Sequence, residues 1–446
     1  MLHNMTEGEP LKLILPFMVP LLIGNIFQQL YNIADVIIVG RTIGVNALAA
    51  VGSVTPLFMM IVVLTIGLSN GCTVVTGQRY GAGDMDGMRR SIGTCSVLSI
   101  IFTILVVLLY HVIIDPVLML MNIPSELLAD AKAYVMIIVD GLFAMMAYNL
   151  LSGIMRSLGD SKTPLYFLIV SSIVNIALAL FFIQVLGWGV PGSAIALVIA
   201  QAVSAILCIA YIYKRFPQLH IGRKDIRLDW PEVWEHLRMG LPMAVQFSVL
   251  GVGIIVLQAV CNKFGGQQIA GFTAATRVEQ MALQPMISSG FAMAVFTAQN
   301  YGARRFDRIR EAVRKCSMLS LGFSAFAALC MFLFGEHIIG IFMENPGPEV
   351  MEAAHLYILY TVPVYFFLSQ IFIYRNACQG MGIGLVPMLS GFIELIMRSG
   401  AAIYLSEAFG YIGACVASPI SWISCALFVF CSFRYFINLL EKQYRA

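Results

Sequence analysis

Charge is scarce in this 446-residue chain: Asp, Glu, Lys and Arg together make up 11% of it, against 59% hydrophobic residues and a mean hydropathy of +0.86. Such a composition lies outside the soluble globular range. The net charge of +3 is slight and dispersed, which argues against a nucleic-acid partner. The ten cysteines include no CxxC pair, so they read as small core residues rather than a disulfide framework or zinc site. The six histidines form no HExxH or other cluster, and no GxxxxGK[ST] occurs. Neither a hydrolytic metal centre nor a nucleotide site is therefore expected, and no cofactor is implied. Period-two alternation is missing as well, which argues against a porin-like barrel. The opening MLHNMTEGEP has no basic cluster, and the apolar run after Lys12 is too long for a signal peptide, so a retained N-terminus is expected.

What the sequence does have is long apolar runs separated by short charged or Pro/Gly turns. They predict an all-α polytopic membrane protein with about twelve transmembrane helices, at 11–40, 47–77, 91–114, 130–156, 164–186, 191–213, 239–262, 269–298, 316–343, 353–378, 387–407 and 411–433. Loops on one side collect Arg79, Arg89, Arg90, Arg156, Lys162 and the basic residues of 214–238 and 304–315, whereas the other side holds Arg41 and Lys263 with acids such as Asp115, Glu126 and Glu344. By the positive-inside rule both termini are cytoplasmic.

The two halves repeat. QRYGAGDMDGMRRS from Gln78 aligns without gaps on QNYGARRFDRIREA from Gln299, and LGDSKTPL (Leu158 to Leu165) falls nearly in the same register as MGIGLVPM (Met381 to Met388). Six helices duplicated as six predict two pseudo-symmetric lobes of like orientation, 1–213 and 239–446, joined by a cytoplasmic linker at 214–238. Within the linker, DIRLDWPEVWEHL reads as a short amphipathic interfacial helix. A two-lobed bundle with intramembrane polar groups is the architecture of alternating-access transporters, and without a nucleotide site transport would draw on an ion gradient.

The ordered motifs QQLYNIADVIIVGRTIGVNALAAVG, GLSNGCTVVTGQRYGAGD, GIMRSLGDSKTPL, RVEQMALQP, TAQNYGA and QGMGIGLVPMLSGFIELIMR span nearly the whole chain. In this order they resemble the MATE family of multidrug and toxic compound extrusion transporters, nearest to its bacterial DinF-like branch. The resemblance implies a multi-pass protein of the bacterial inner membrane, probing no partner beyond the lipid bilayer, its small cationic or amphipathic substrates and, as a monomer, no second subunit. It further implies export of those compounds in exchange for protons or sodium ions.

Charged residues inside the spans are few, and each costs on the order of 2.5–3.5 kcal/mol at a helix centre. Asp35 lies six residues before Arg41, about 9 Å at 1.5 Å per residue, with Tyr31 and Asn32 one turn earlier. Neither Asp35 nor Asp140 has an arginine or lysine assigned to that lobe's spans, and an unpaired carboxylate removed from water has the chemistry of a coupling site. The resemblance places Asp35 on the family's cation-coupling aspartate and matches Asn149 and Asn175 to its companion amides. Those amides serve either as ion ligands or as interhelical hydrogen-bonding groups. Ala179 and Leu197 stand where related members often carry a second aspartate and a hydroxyl. Loss of those oxygens favours protons over sodium, with Asp140 either compensating or serving packing or gating.

In the second lobe Glu394 and Arg398 are spaced to pair along one helix, and Arg277 and Glu279 are able to join them, either as a structural or gating network or as a substrate or proton site. Arg375 reads as snorkelling to headgroups. Pro16 and Pro20 loosen the first span, giving either a functional bend or a static kink. From the family's central cleft, Phe58, Met59, Gln246, Met281, Gln284 and Met286 are drug-cavity candidates, Met being adaptable in shape. The alternative is a lipid-precursor flippase of the same superfamily. It would want a strongly cationic cavity, whereas Arg277 and Arg398 are offset by acids.

Overall fold

The computed structural model describes residues 4–121, 123–222, 225–226, 228–342 and 347–445; within these, the side chains of Asn32, Val36, Val45, Gln218, Phe334, Glu336, Ile338, Ile341, Phe342 and Arg445 are outside the description. The described residues are almost wholly helical. The helices are α1 (Pro10–Thr42), α2 (Val45–Gly81), α3 (Met85–Leu120), α4 (Ser125–Asp140), α5 (Leu142–Ser157), α6 (Lys162–Leu180), α7 (Gly189–Arg215), α8 (Trp230–Cys261), α9 (Gly266–Gly302), α10 (Phe306–Phe342), α11 (Pro348–Thr361), α12 (Tyr365–Gly380), α13 (Leu385–Phe409) and α14 (Tyr411–Arg445). Eleven stretches are long and apolar enough to cross a membrane, or twelve when α4 and α5 count as one span. Side chains such as Leu120 (81% exposed), Phe332 (80%) and Val112 (77%) face outward, as a bilayer rather than water permits.

Two spans are broken. α4 and α5 meet at 47°. At the joint, Gly141 leaves room for Val198 of α7, whose side chain fills the place a Cβ would take. α11 and α12 are separated by a 3-10 turn at Val362–Val364, where Pro363 supplies no backbone donor. The 225–237 stretch is not a separate short helix. Trp230–Cys261 is one helix, because Pro231 suits a first turn and nothing between Glu235 and Met239 interrupts the ladder.

By internal packing the chain forms two compact units. The first is principally Val19–Ala244; the second combines Met5–Met18 with Val245–Ala446. Hence α1 begins in the second unit and ends in the first, while α8 does the reverse. The duplication is visible in the backbone, where α2 and α9, and α3 and α10, start at the spacing that separates Gln78 from Gln299. Left-handed residues recur at that spacing too: Gly44 (φ 119) with Gly265 (φ 98), Gly83 (φ 74) with Arg304 (φ 57), and Gly189 (φ 58) with Gly410 (φ 60).

The first unit has two large apolar clusters. One joins Ala50, Val54 and Ile61 of α2 to Tyr110 and Ile114 of α3, Tyr134 and Ile138 of α4, and Val190 of α7. The other joins Leu68 and Cys72 of α2 to Met88 and Cys95 of α3 and Ile154 of α5, and is closed by Phe216 and Leu219 after α7. Small residues let helices touch: a Cβ on Gly71 of α2 would lie 2.5 Å from the Gly240 Cα of α8. In the second unit, a Cβ on Gly380 of α12 would lie 2.6 Å from the Ala294 carbonyl of α9.

Candidate functional site

Asp35 stands on α1 in the first unit. Its carboxylate accepts a hydrogen bond of 3.4 Å from the Ser193 hydroxyl of α7 and has no ion-pair partner among the described residues. Two of this unit's bases do fall inside the predicted spans, Lys132 and Arg156, and both are engaged elsewhere. Lys132 binds Asp115 at 2.5 Å, and Arg156 reaches the Asn70 side-chain carbonyl at 3.4 Å. Asp140 ends α4 and lies 3.4 Å from His111 of α3, both side chains being about half exposed. It is therefore not a partner to Asp35's hydrogen bond, and its surroundings are those of an exposed pair.

One turn before Asp35, Tyr31 lines a cavity of about 20 Å³ with Gln28 of α1, Ser171, Ser172 and Asn175 of α6, and Leu197 and Gln201 of α7. That is room for about one water molecule. Asn175 is 1% exposed with the Tyr31 phenol beside it, and among the described residues neither atom of its amide, nor the Gln201 side-chain carbonyl, is satisfied by a well-formed hydrogen bond. Buried amides are ordinarily paired, at a cost of ~1–3 kcal/mol when they are not, so these groups are poised to receive a small polar guest. Ser171 and Ser172 instead donate to the Ala200 and Leu168 carbonyls, leaving their oxygens free to accept. Asn149, on α5, is partly buried and makes no hydrogen bond to Asp35 among the described residues. The Asn32 side chain lies outside those described. Ala179 is fully buried in an apolar cluster with Phe182, Ile183 and Ala196, so no oxygen replaces the missing second carboxylate there.

The second unit treats its acids differently. Glu394 of α13 sits between Arg375 of α12 at 3.1 Å and Arg398 at 3.3 Å, all three side chains at most 8% exposed. Arg375 does not snorkel. It is buried and is the cross-helix partner that sequence spacing did not reveal, because nineteen residues of separation in an α12–α13 hairpin carry no periodic signal. Glu279 of α9 accepts a hydrogen bond from the Tyr357 hydroxyl of α11 at 3.0 Å. Arg277 is exposed and forms no ion pair among the described residues, because two positions from Glu279 it points off the packed face. The network is thus Arg375, Glu394 and Arg398, with Glu279 and Tyr357 beside it.

The drug-cavity candidates separate by exposure. Met59 (45%) and Met281 (53%) are open, whereas Gln246 (3%), Gln284 (8%) and Met286 (2%) are buried. Phe58 packs against the apolar cluster that includes Ile61.

The repeated loop motifs each hold a segment of chain. In the first unit, Arg79 of the QRYGA stretch forms a 2.5 Å ion pair with Glu232 and a 2.7 Å pair with Glu235, while Ser91 meets the His236 ring at 2.8 Å. In the second, the Gln299 side chain accepts from the Met5 backbone N–H at 2.8 Å, the Asn300 amide donates to the Met5 carbonyl at 3.0 Å, and Arg308 donates to the Gly8 carbonyl at 2.6 Å. Sequence reasoning found the motifs but not what they grip.

A family model described as MatE matches residues 20–181 and 242–400, one segment in each repeat. The chain is similar to the probable multidrug resistance protein YoeA of Bacillus subtilis (strain 168), with 28% identity over 378 residues, 83% of this chain and 81% of that one. It is also similar to the crystal structure of MATE in the bent conformation, at TM-score 0.92 and 25% identity over 99% of this chain and 98% of the other. The straight conformation matches at TM-score 0.90 and 24% identity, over 98% of each. Fold, membrane character and a model that covers most of the sequence agree: the chain belongs to the MATE family of multidrug and toxic compound extrusion transporters.

Proposed function

We propose that the chain is a secondary antiporter that exports cationic or amphipathic compounds by alternating access, driven by protons taken up at Asp35. The observation that carries this reading is the isolation of that carboxylate. Among the described residues Glu394 is paired with two arginines and Glu279 is bonded by the Tyr357 hydroxyl, whereas Asp35 has no base beside it, only a long hydrogen bond from Ser193, the nearby phenols of Tyr31 and Tyr134 and, through Tyr31, a polar cavity with unsatisfied side-chain carbonyls. A partly buried carboxylate held by so little is free to bind and release a proton. Sodium would need several oxygens in place of its water; the positions of Ala179 and Leu197 offer none, and the oxygens of Ser171, Ser172, Asn175 and Gln201 line a cavity whose walls do not include Asp35.

In the proposed cycle, protonation of Asp35 removes a charge from the α1–α7 contact and lets α1 bend at Pro16 and Pro20. The contact division of the chain falls between those prolines, at Met18 and Val19. A similar transporter adopts bent and straight forms. Exchange follows if proton and drug favour opposite states. Met59 and Met281 are the proposed drug contacts. Asn149 and Asn175 assist at the cation site, and Asp140 serves gating. We further propose a monomer of the DinF-like branch, in the bacterial cell membrane, with both termini cytoplasmic and residues 1–213 and 239–446 as its two repeats.

The test is efflux of a cationic dye from proteoliposomes under an imposed pH gradient without sodium. Wild type should transport, and Asp35→Asn should lose gradient-driven efflux while eluting as the same monodisperse species. A wild type silent until sodium is added would overturn proton coupling; an Asp35→Asn protein as active as wild type would overturn the site.

A further inference from the structure

The chain between α7 and α8 exposes apolar surface where neither water nor a hydrocarbon core suits it. Ile226 (50%) and Leu228 (48%) are open, and so are Trp230 (69%), which begins α8, and Trp234 (55%) one turn further on. Irregular backbone facing lipid is not found within the hydrocarbon, because its N–H and C=O groups would go unsatisfied. The level that accommodates both exposed aromatics and free backbone is the headgroup boundary, where Trp concentrates.

The first turns of α8 have two distinct faces. Val233, His236 and Met239 are buried, and Glu232 is held by Arg79. Trp230, Trp234 and Arg238, spaced four apart, form the opposite, exposed stripe. The two indoles stack with centroids 6.3 Å apart and planes at 28°. Three of the segment's described residues are held against the first unit: Phe216 and Leu219 are buried in the cluster around Cys72, and the Asp225 carbonyl rests against Gly93 of α3 where any side chain would collide.

Charge then selects the lipid. Between 214 and 238 there are six lysines and arginines against four acids, and two of those acids, Glu232 and Glu235, are engaged by Arg79. Lys214, Arg215 and Arg238 are exposed and form no ion pair among the described residues. We infer that the surface running from the end of α7 to the first turns of α8 is a seat for anionic phospholipid, with Trp230 and Trp234 at the acyl–headgroup boundary and Arg238, Lys214 and Arg215 on the phosphates. The seat rests on the reading of 214–238 as the inner-surface linker of a membrane transporter.

The test uses the full chain with Trp188 and Trp422 replaced by Phe, so that fluorescence reports Trp230 and Trp234. The protein is reconstituted in mixed phosphatidylcholine–phosphatidylglycerol vesicles in which one lipid or the other is brominated. Brominated phosphatidylglycerol should quench more strongly than brominated phosphatidylcholine at equal content. The preference should fall about fivefold for each of Arg238→Gln, Lys214→Gln and Arg215→Gln, from ~1 kcal/mol per basic residue near an anionic surface, while quenching by total lipid persists. Equal quenching by both lipids would overturn the headgroup seat. Absence of quenching by either would overturn it in favour of a protein or second-copy contact. Both leaflets have the same composition, so an inverted orientation leaves this readout unchanged; it would show instead as a dark green fluorescent protein fused at the C-terminus in cells.

Discussion

Arg304 is the one non-glycine residue with positive φ among those described (φ 57), and its counterpart in the first repeat is Gly83 (φ 74). Both close the turn after the QxYGA stretch, and only glycine adopts that backbone without steric cost. Gly83 has open space around it. Gly83→Ala should therefore cost roughly 1–2 kcal/mol through backbone strain alone. Gly52→Ala, in an open helix interior, should be neutral or slightly stabilising, the pair to be compared by thermal unfolding in detergent. At Glu394 the balance is electrostatic. Removing the acid leaves Arg375 and Arg398 buried without a counter-charge, and Glu394→Ala should destabilise by about 3–5 kcal/mol, more than Arg375→Ala, which leaves the Glu394–Arg398 pair intact. A helical period linked Glu394 to Arg398 in the sequence and the structure pairs them, and Asp35, which stood out there as a lone carboxylate, has no base beside it among the described residues. Arg375, Tyr357 and Ser193 were not legible there, since their partners lie on other helices and only packing brings them together.

Among the elements, α1 and α8 carry the most consequence. α1 is helical throughout despite Pro16 and Pro20, so each proline leaves a carbonyl in the preceding turn without its usual donor. Replacing Pro20 with Ala should restore that donor, raise thermal stability slightly and slow drug efflux if bending limits turnover; unchanged efflux would remove the bend from the cycle. α2 and α8 cross at Gly71 and Gly240, where a Cβ has 2.5 Å to the opposing backbone. Gly71→Leu should abolish the folded species on size-exclusion chromatography, whereas Gly322→Leu, with nothing near it, should not. Hydropathy revealed the helices because burial in lipid demands long apolar runs. It did not reveal the bend at Gly141, for that depends on Val198 of another helix, nor that α8 begins at Trp230, where polar residues continue a helix already supported by packing.

For the whole molecule, the repeated motifs and the excess of basic residues in alternate loops predict the orientation, and a green fluorescent protein fused after the last residue should be bright in cells; a dark fusion would reverse it. Packing divides the chain differently from the repeat. The second unit holds Met5–Met18, and the first holds the beginning of α8 up to Ala244. Each unit is completed by the opening turns of the other repeat's leading helix, gripped by Arg79 on one side and by Asn300 and Arg308 on the other. A cut between the repeats would therefore take from each unit the turns that complete it. A half-length chain with the same contacts would satisfy them only as a pair of copies exchanging their first turns, an arrangement of the domain-swapped kind.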